Sequence, residues 1–160
     1  MSLDVIEKKI LLKAPLARVW RAVSDATEFG RWFGMRFEGP FQPNTRMTGT
    51  LVPTEVDPEI AKSQQSYAGQ AFEFTIVDLE PQRRLSFRWH PFAVDPKVDY
   101  SQEPTTLVVF SLEEVSGGVE LTITESGFEH LPPERRKPAF AANDEGWAVM
   151  AKIIGLYLSR

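Results

Sequence analysis

Apolar residues recur at every second position through the middle of this chain, and at every third or fourth position near its beginning and at its end. The first periodicity belongs to half-buried strands and the second to helices that lie on a core. Val5 to Lys13 predicts a first strand, with Ile6, Ile10 and Leu12 on one face and Glu7 and Lys9 on the other. Ala14-Pro15 ends it, and a proline suits the first turn of a helix. Leu16, Val19, Trp20 and Val23 then fall at helical spacing over Leu16 to Val23. Ser24-Asp25 offers a turn and a cap for a second short helix through Phe29 to Phe33, closed by Gly34.

From Met35 to His130 the period is two. Strands are predicted over Arg36 to Phe41, Arg46 to Val52, Ala71 to Leu79, Leu85 to Trp89, Thr105 to Glu113 and Val119 to Glu125. Ser116-Gly117-Gly118 is a hairpin signal between the last two. Thr54 to Ser66, polar and interrupted by Pro58, reads as a mobile loop, and Pro91 to Pro104 as a second loop too long for a tight hairpin.

The tail, Pro138 to Leu158, is a helix with Pro138 restarting it. Trp147, Met150, Ala151, Ile154 and Leu158 form one stripe, which Val149, Ile153, Leu156 and Tyr157 widen past half the circumference. Only a narrow strip of Glu145, Ala148, Lys152, Gly155 and Ser159 is left for water. Gly146 and Gly155 each cost roughly 1 kcal/mol relative to alanine, which burial of a residue such as Trp147 more than offsets. So greasy a helix needs a concave partner. Hairpins in series supply one: a curved antiparallel sheet of six or seven strands with one apolar face. The expected class is α+β, a helix-grip arrangement with two short helices after the first strand and a long terminal helix gripped by the sheet.

Composition narrows the classes. At 160 residues and 42% hydrophobic, the chain is long enough for one domain over residues 1–160 with a core of its own. With no cysteine there is no disulfide, thiolate metal site or cysteine nucleophile. The start MSLDVIEKK has no apolar leader segment and no apolar run is long enough to span a bilayer, so a cytoplasmic protein without a membrane span is expected. A net charge of −4, spread along the chain, argues against a nucleic-acid partner.

Four stretches together resemble one family. APLARVWRAVSDATEFGRWFG, LEPQRRLSFRWH, LTITESGFEH and GWAVMAKIIGLYL, in that order, are similar to the activator of heat-shock protein 90 ATPase homologues, within the START-like (SRPBCC, birch-pollen-allergen-like) superfamily. The resemblance implies a helix-grip fold with a cavity between sheet and long helix, usually for an apolar or amphipathic ligand. It names no particular ligand. The loops Thr54–Ser66 and Pro91–Pro104 look longer than the common pattern, so an entrance beside either would be lined by residues the family does not predict.

Candidate chemistry centres on Glu125. Counting in twos from Leu121 and Ile123 puts it on the apolar face, where a carboxylate must be paired or hydrogen-bonded. It is then a polar anchor or a general acid/base in a pocket. The other placement is at the strand end, in water, or flipped by a bulge before Gly127. Phe72, Phe74, Phe87, Trp89, Phe110 and Trp147 share the interior, as ligand-contacting walls or as filled core. His90 and Arg88 belong to the outward parity, and His90 is expected to be solvated or at the rim. With His130 the only other histidine, no metal site is expected, and no cofactor motif, nucleophile elbow or phosphate-binding loop occurs.

The function expected is binding of a small hydrophobic or amphipathic molecule between sheet and helix. A cyclase- or hydratase-like enzyme using Glu125 is the alternative, although no catalytic motif supports it. A chaperone partner follows only from the family name, and the chain has no room for the founding co-chaperones' additional N-terminal domain. A homodimer through the wide apolar arc of the terminal helix is a further possibility.

Overall fold

A computed structural model describes residues 4–160. The first three residues of the N-terminal stretch read above lie outside the described residues. The strands are β1 (Val5–Leu12), β2 (Met35–Phe37), β3 (Thr45–Leu51), β4 (Ala71–Glu80), β5 (Arg84–Trp89), β6 (Thr106–Val115) and β7 (Gly118–Ser126). They form one antiparallel sheet in the order β1-β7-β6-β5-β4-β3-β2. The helices are α1 (Leu16–Ser24), α2 (Ala26–Phe33), α3 (Pro58–Gln64) and α4 (Pro133–Leu158). The expected α+β architecture is the one observed. No described helix is long and apolar enough to cross a membrane.

Alternation fixes which face of the sheet is buried. In β7, Val119, Leu121, Ile123 and Glu125 are all buried while their neighbours are not. In β6, Thr106, Val108, Phe110 and Leu112 do the same. One face must bury these residues, and a one-residue slip would send every one of them to water. The β4–β5 pairing breaks this rule once. Its register shifts between Ile76 and Asp78, and the buried Ser86 hydroxyl mends the gap, accepting from the Asp78 N–H (3.0 Å) and donating to the Asp78 carboxylate (3.1 Å).

The helices α1 and α2 form a V over one end of the buried face. Asp25 caps α2 by accepting from the Glu28 N–H (3.0 Å), and Gly34 ends it in the left-handed region at φ 92°. Between them α2 turns inward Phe29, Trp32 and Phe33, and the Trp32 indole donates to the Ala22 carbonyl of α1 (2.9 Å). Phe29 is the hub, its ring 4.8–6.1 Å from those of Trp32, Phe33, Phe37, Phe41 and Phe110. Gly30 has no alternative here, because a Cβ would stand 2.0 Å from the Met35 carbonyl oxygen. Glu28 locks the V to the end of α4, accepting from Arg18 (2.8 Å), Arg21 (2.7 Å) and the Tyr157 hydroxyl (2.8 Å).

Three expectations are corrected. Thr54–Ser66 is not a mobile loop throughout: it carries α3. Asp57 caps that helix by accepting from the Glu59 and Ile60 N–H groups, with Pro58 at its first position. Gln64 docks it, accepting from the Thr54 N–H (2.8 Å) and donating to the Phe33 carbonyl (3.2 Å). The strand expected over Arg36–Phe41 stops at Phe37, since Gly39 and Pro40 follow and a proline has no N–H for the ladder. Pro138 does not restart the last helix but lies inside it, near an exposed end where the one carbonyl it leaves unpaired can reach water.

The wide apolar arc of α4 divides among several neighbours. The helix packs on β1, α2 and α1, with Trp147, Ala151, Ile153, Ile154 and Tyr157 buried. Val149 and Met150, half-buried, face a cavity. Leu156, expected to be covered, is 42% exposed.

Candidate functional site

Glu125 is fully buried near the end of β7, opposite Ile6 of β1 and Val108 of β6. The register of β7 is continuous through Ser126, so no bulge turns the side chain outward. Four side chains donate to it. Its Oε2 accepts from the Trp89 indole (2.8 Å) and the Thr106 hydroxyl (2.6 Å), and its Oε1 from the Asn143 amide (2.9 Å) and the Trp147 indole (2.7 Å). A carboxylate has about four acceptor positions, and all are taken. Local geometry supplies each donor. Trp89 and Thr106 are cross-strand partners at the adjoining ends of β5 and β6, and Asn143 and Trp147 are one helical turn apart on α4. Among the described residues no Lys, Arg or His pairs with Glu125, so neutral dipoles alone meet the desolvation of the group.

Three of those donors, Trp89, Asn143 and Trp147, also line a cavity of about 610 Å³. The cavity lies where α4 parts from the sheet. Its other walls come from Phe33 and Met35, from Phe72 of β4, from Ile60, Gln64 and Tyr67 on the α3 side, and from His90 and Phe92–Val94. Tyr67 and Phe92, both 38% exposed, stand at the rim. Gly146 lines the wall as well, and a Cβ built on it would meet nothing within 4 Å. The glycine that looked like a flaw in the helix is therefore part of the opening.

Of the candidates named from sequence, Phe72, Trp89 and Trp147 reach the cavity. Phe74, Phe87 and Phe110 do not; they are buried behind it, in ring contact with the wall. Phe74 and Phe87 lie 5.4 Å from Trp89, and Phe110 lies 5.6 Å from Trp147. Glu125 is likewise behind the wall and not on it. Arg88 faces solvent. Of the two placements expected for His90, solvated or at the rim, the solvated one is corrected: the ring is half-buried in the cavity wall, with Nδ1 enclosed and without a hydrogen-bond partner. Strand parity did not anticipate this because β5 ends at Trp89 and His90 no longer follows its pleat. Near it, the Asp99 carboxyl is held below the usual carboxylate range, chiefly by the Ser101 N–H and hydroxyl and to a lesser degree by His90.

Several lining residues were missed from sequence. Asp57-Pro58 was a readable helix start for α3, and Asn143 stands one turn before Trp147. Arg135, which lies outside the cavity wall, had no such signal. It fastens the loop after β5 to the start of α4, donating to the Pro91 (2.7 Å) and Phe92 (3.0 Å) carbonyls and to Glu103 (3.1 Å). Among the described residues no cluster of histidine and carboxylate side chains is placed to hold a metal ion.

Solved structures share the fold. Protein MLL2253 from Mesorhizobium loti superposes with a TM-score of 0.70 at 18% identity, covering 98% of this chain and 97% of that one. A protein from Arthrobacter aurescens gives 0.72 at 17% identity, with 99% and 89% covered. DynU16, from the dynemicin biosynthetic locus, gives 0.68 at 22% identity, and 98% of this chain spans 47% of it. At such identities the likeness concerns the fold. No curated protein matches the chain in sequence. The family described as "Activator of Hsp90 ATPase homolog 1-like protein" matches residues 13–159. That is nearly the full length, and the chain belongs to this family.

Proposed function

We propose that this protein binds a small molecule with an apolar body in the cavity between α4, the ends of β4 and β5, and α3. The observation that carries the reading is the cavity itself. At about 610 Å³ it has the size of a small-molecule site, it is walled mainly by aromatic and aliphatic side chains, and it opens at Tyr67 and Phe92. Phe72, Trp89 and Trp147 supply contact surface. Glu125 acts as a positioning residue. By holding both indole N–H groups and the Asn143 amide it fixes the ring planes, so the wall is formed before a ligand arrives and less entropy is lost on binding. Its four acceptor positions are occupied, so the proposal assigns it no acid/base step.

Gly146 gives the test. Replacing it by leucine removes a helix glycine, which stabilises by up to about 1 kcal/mol, while a side chain grows into the cavity. Titration of N-phenyl-1-naphthylamine, a neutral apolar fluorophore, should give saturable one-site binding to the native chain in the micromolar range. Gly146→Leu should melt no lower and bind about tenfold or more weakly. Non-saturating fluorescence with the native chain, or equal binding by Gly146→Leu, would remove the proposal.

A further inference from the structure

The charges around the cavity are one-sided. Among its lining residues there is no lysine or arginine, and the only carboxylate is Glu145, exposed on α4. A second carboxylate, Glu125, lies directly behind the wall, 2.7–2.9 Å from Trp147 and Asn143.

The aromatic groups are polarised the same way. Trp89 and Trp147 both donate their indole N–H to one carboxylate, which pushes electron density into the rings and makes their faces better partners for a cation. The two rings lie 5.7 Å apart, and Phe33 lies 6.2 Å and 5.8 Å from them. One acceptor is left over in the same wall. Asn143 spends its amide N–H on Glu125, and its carbonyl oxygen has no partner among the described residues.

Resting on the cavity reading above, we infer that the ligand is a protonated amine carried on an apolar body. The alkyl or aryl part fills the space beside Val149, Met150 and Phe72, and the ammonium group lies against the Trp89 ring, the more open of the two indoles. There its N–H groups meet the Asn143 carbonyl oxygen, with Glu145 at its back. A carboxylate or sulfate in the same place would face Glu145 and Glu125, with no lysine or arginine among the lining residues.

Three probes of equal chain length separate the possibilities: decylamine, 1-decanol and decanoate. Each is used to displace N-phenyl-1-naphthylamine from the full chain at about pH 8, where the amine is charged. Decylammonium is expected to displace about tenfold more effectively than decanol, with decanoate weakest. Glu145→Gln, an exposed change that leaves the fold intact, should weaken decylammonium about threefold and leave decanol unchanged. Equal displacement by decanol, tighter displacement by decanoate, or no displacement by any of the three overturns the inference while the cavity reading stands. Failure of the naphthylamine itself to bind overturns the cavity reading first.

Discussion

Glu125→Ala should lower stability by about 4 kcal/mol or more, since it strands two indole N–H groups, an amide and a hydroxyl. For a chain of this size that is a fall of roughly 10 °C in melting temperature. Glu125→Gln is the sharper variant. It has nearly the same shape, yet its amide N–H₂ must face two of the four donors, because each carboxylate oxygen holds two. A loss of about 2–3 kcal/mol is expected even from this near-isosteric change. Both variants should also weaken the near-ultraviolet circular dichroism, because Trp89 and Trp147 lose their common anchor. Thermal unfolding that places either within about 1 kcal/mol of the native chain would mean that the four hydrogen bonds do not hold the wall.

Phe29→Ala should cost about 3–5 kcal/mol by urea unfolding, a large part of the 5–15 kcal/mol typical of a whole domain. Phe29 is fully buried and touches five other rings drawn from α2, the segment after it, and β6. Truncation leaves a void that α2 cannot close without moving Gly30, which is already pressed against the Met35 carbonyl. Phe29→Leu, which keeps most of the volume, should cost less than half as much. A Phe29→Ala loss below about 1 kcal/mol would contradict the placement of the hub.

These two residues also show what could be read from the sequence. The buried parity of β6 and β7 was legible because one face of an antiparallel sheet is dry and the alternation is regular, and the same count in twos put Glu125 inside. Its partners were not legible. Trp89, Thr106 and Asn143 come together only because β5, β6 and α4 converge, and no spacing along the chain records that. The aromatic set divides for a similar reason. Phe72 and Phe74 share a strand face, but Phe74 lies under the core while Phe72, nearer the strand end, reaches the space where α4 parts from the sheet. Parity gives the face of the sheet and not the depth. The α3 segment was hidden by its polarity, since it buries no residue completely and is held by a cap and by Gln64. The apolar arc of the helical tail was legible as a need for partners but not in its division: part of it packs in the core, part borders the cavity, and Leu156, on the side where a dimer contact was also an option, is exposed in the single chain.

The chain has four tryptophans, and their indole N–H resonances report on the central claim. Trp89 and Trp147 line the cavity; Trp20 and Trp32 do not, and Trp32 is tied to the Ala22 carbonyl. The direct measurement is an indole ¹H–¹⁵N spectrum of the full chain, recorded as N-phenyl-1-naphthylamine is added. The account predicts that the Trp89 and Trp147 signals move to saturation together while those of Trp20 and Trp32 stay in place. Movement of Trp20 or Trp32 with Trp89 and Trp147 unchanged would put the binding site elsewhere and contradict it.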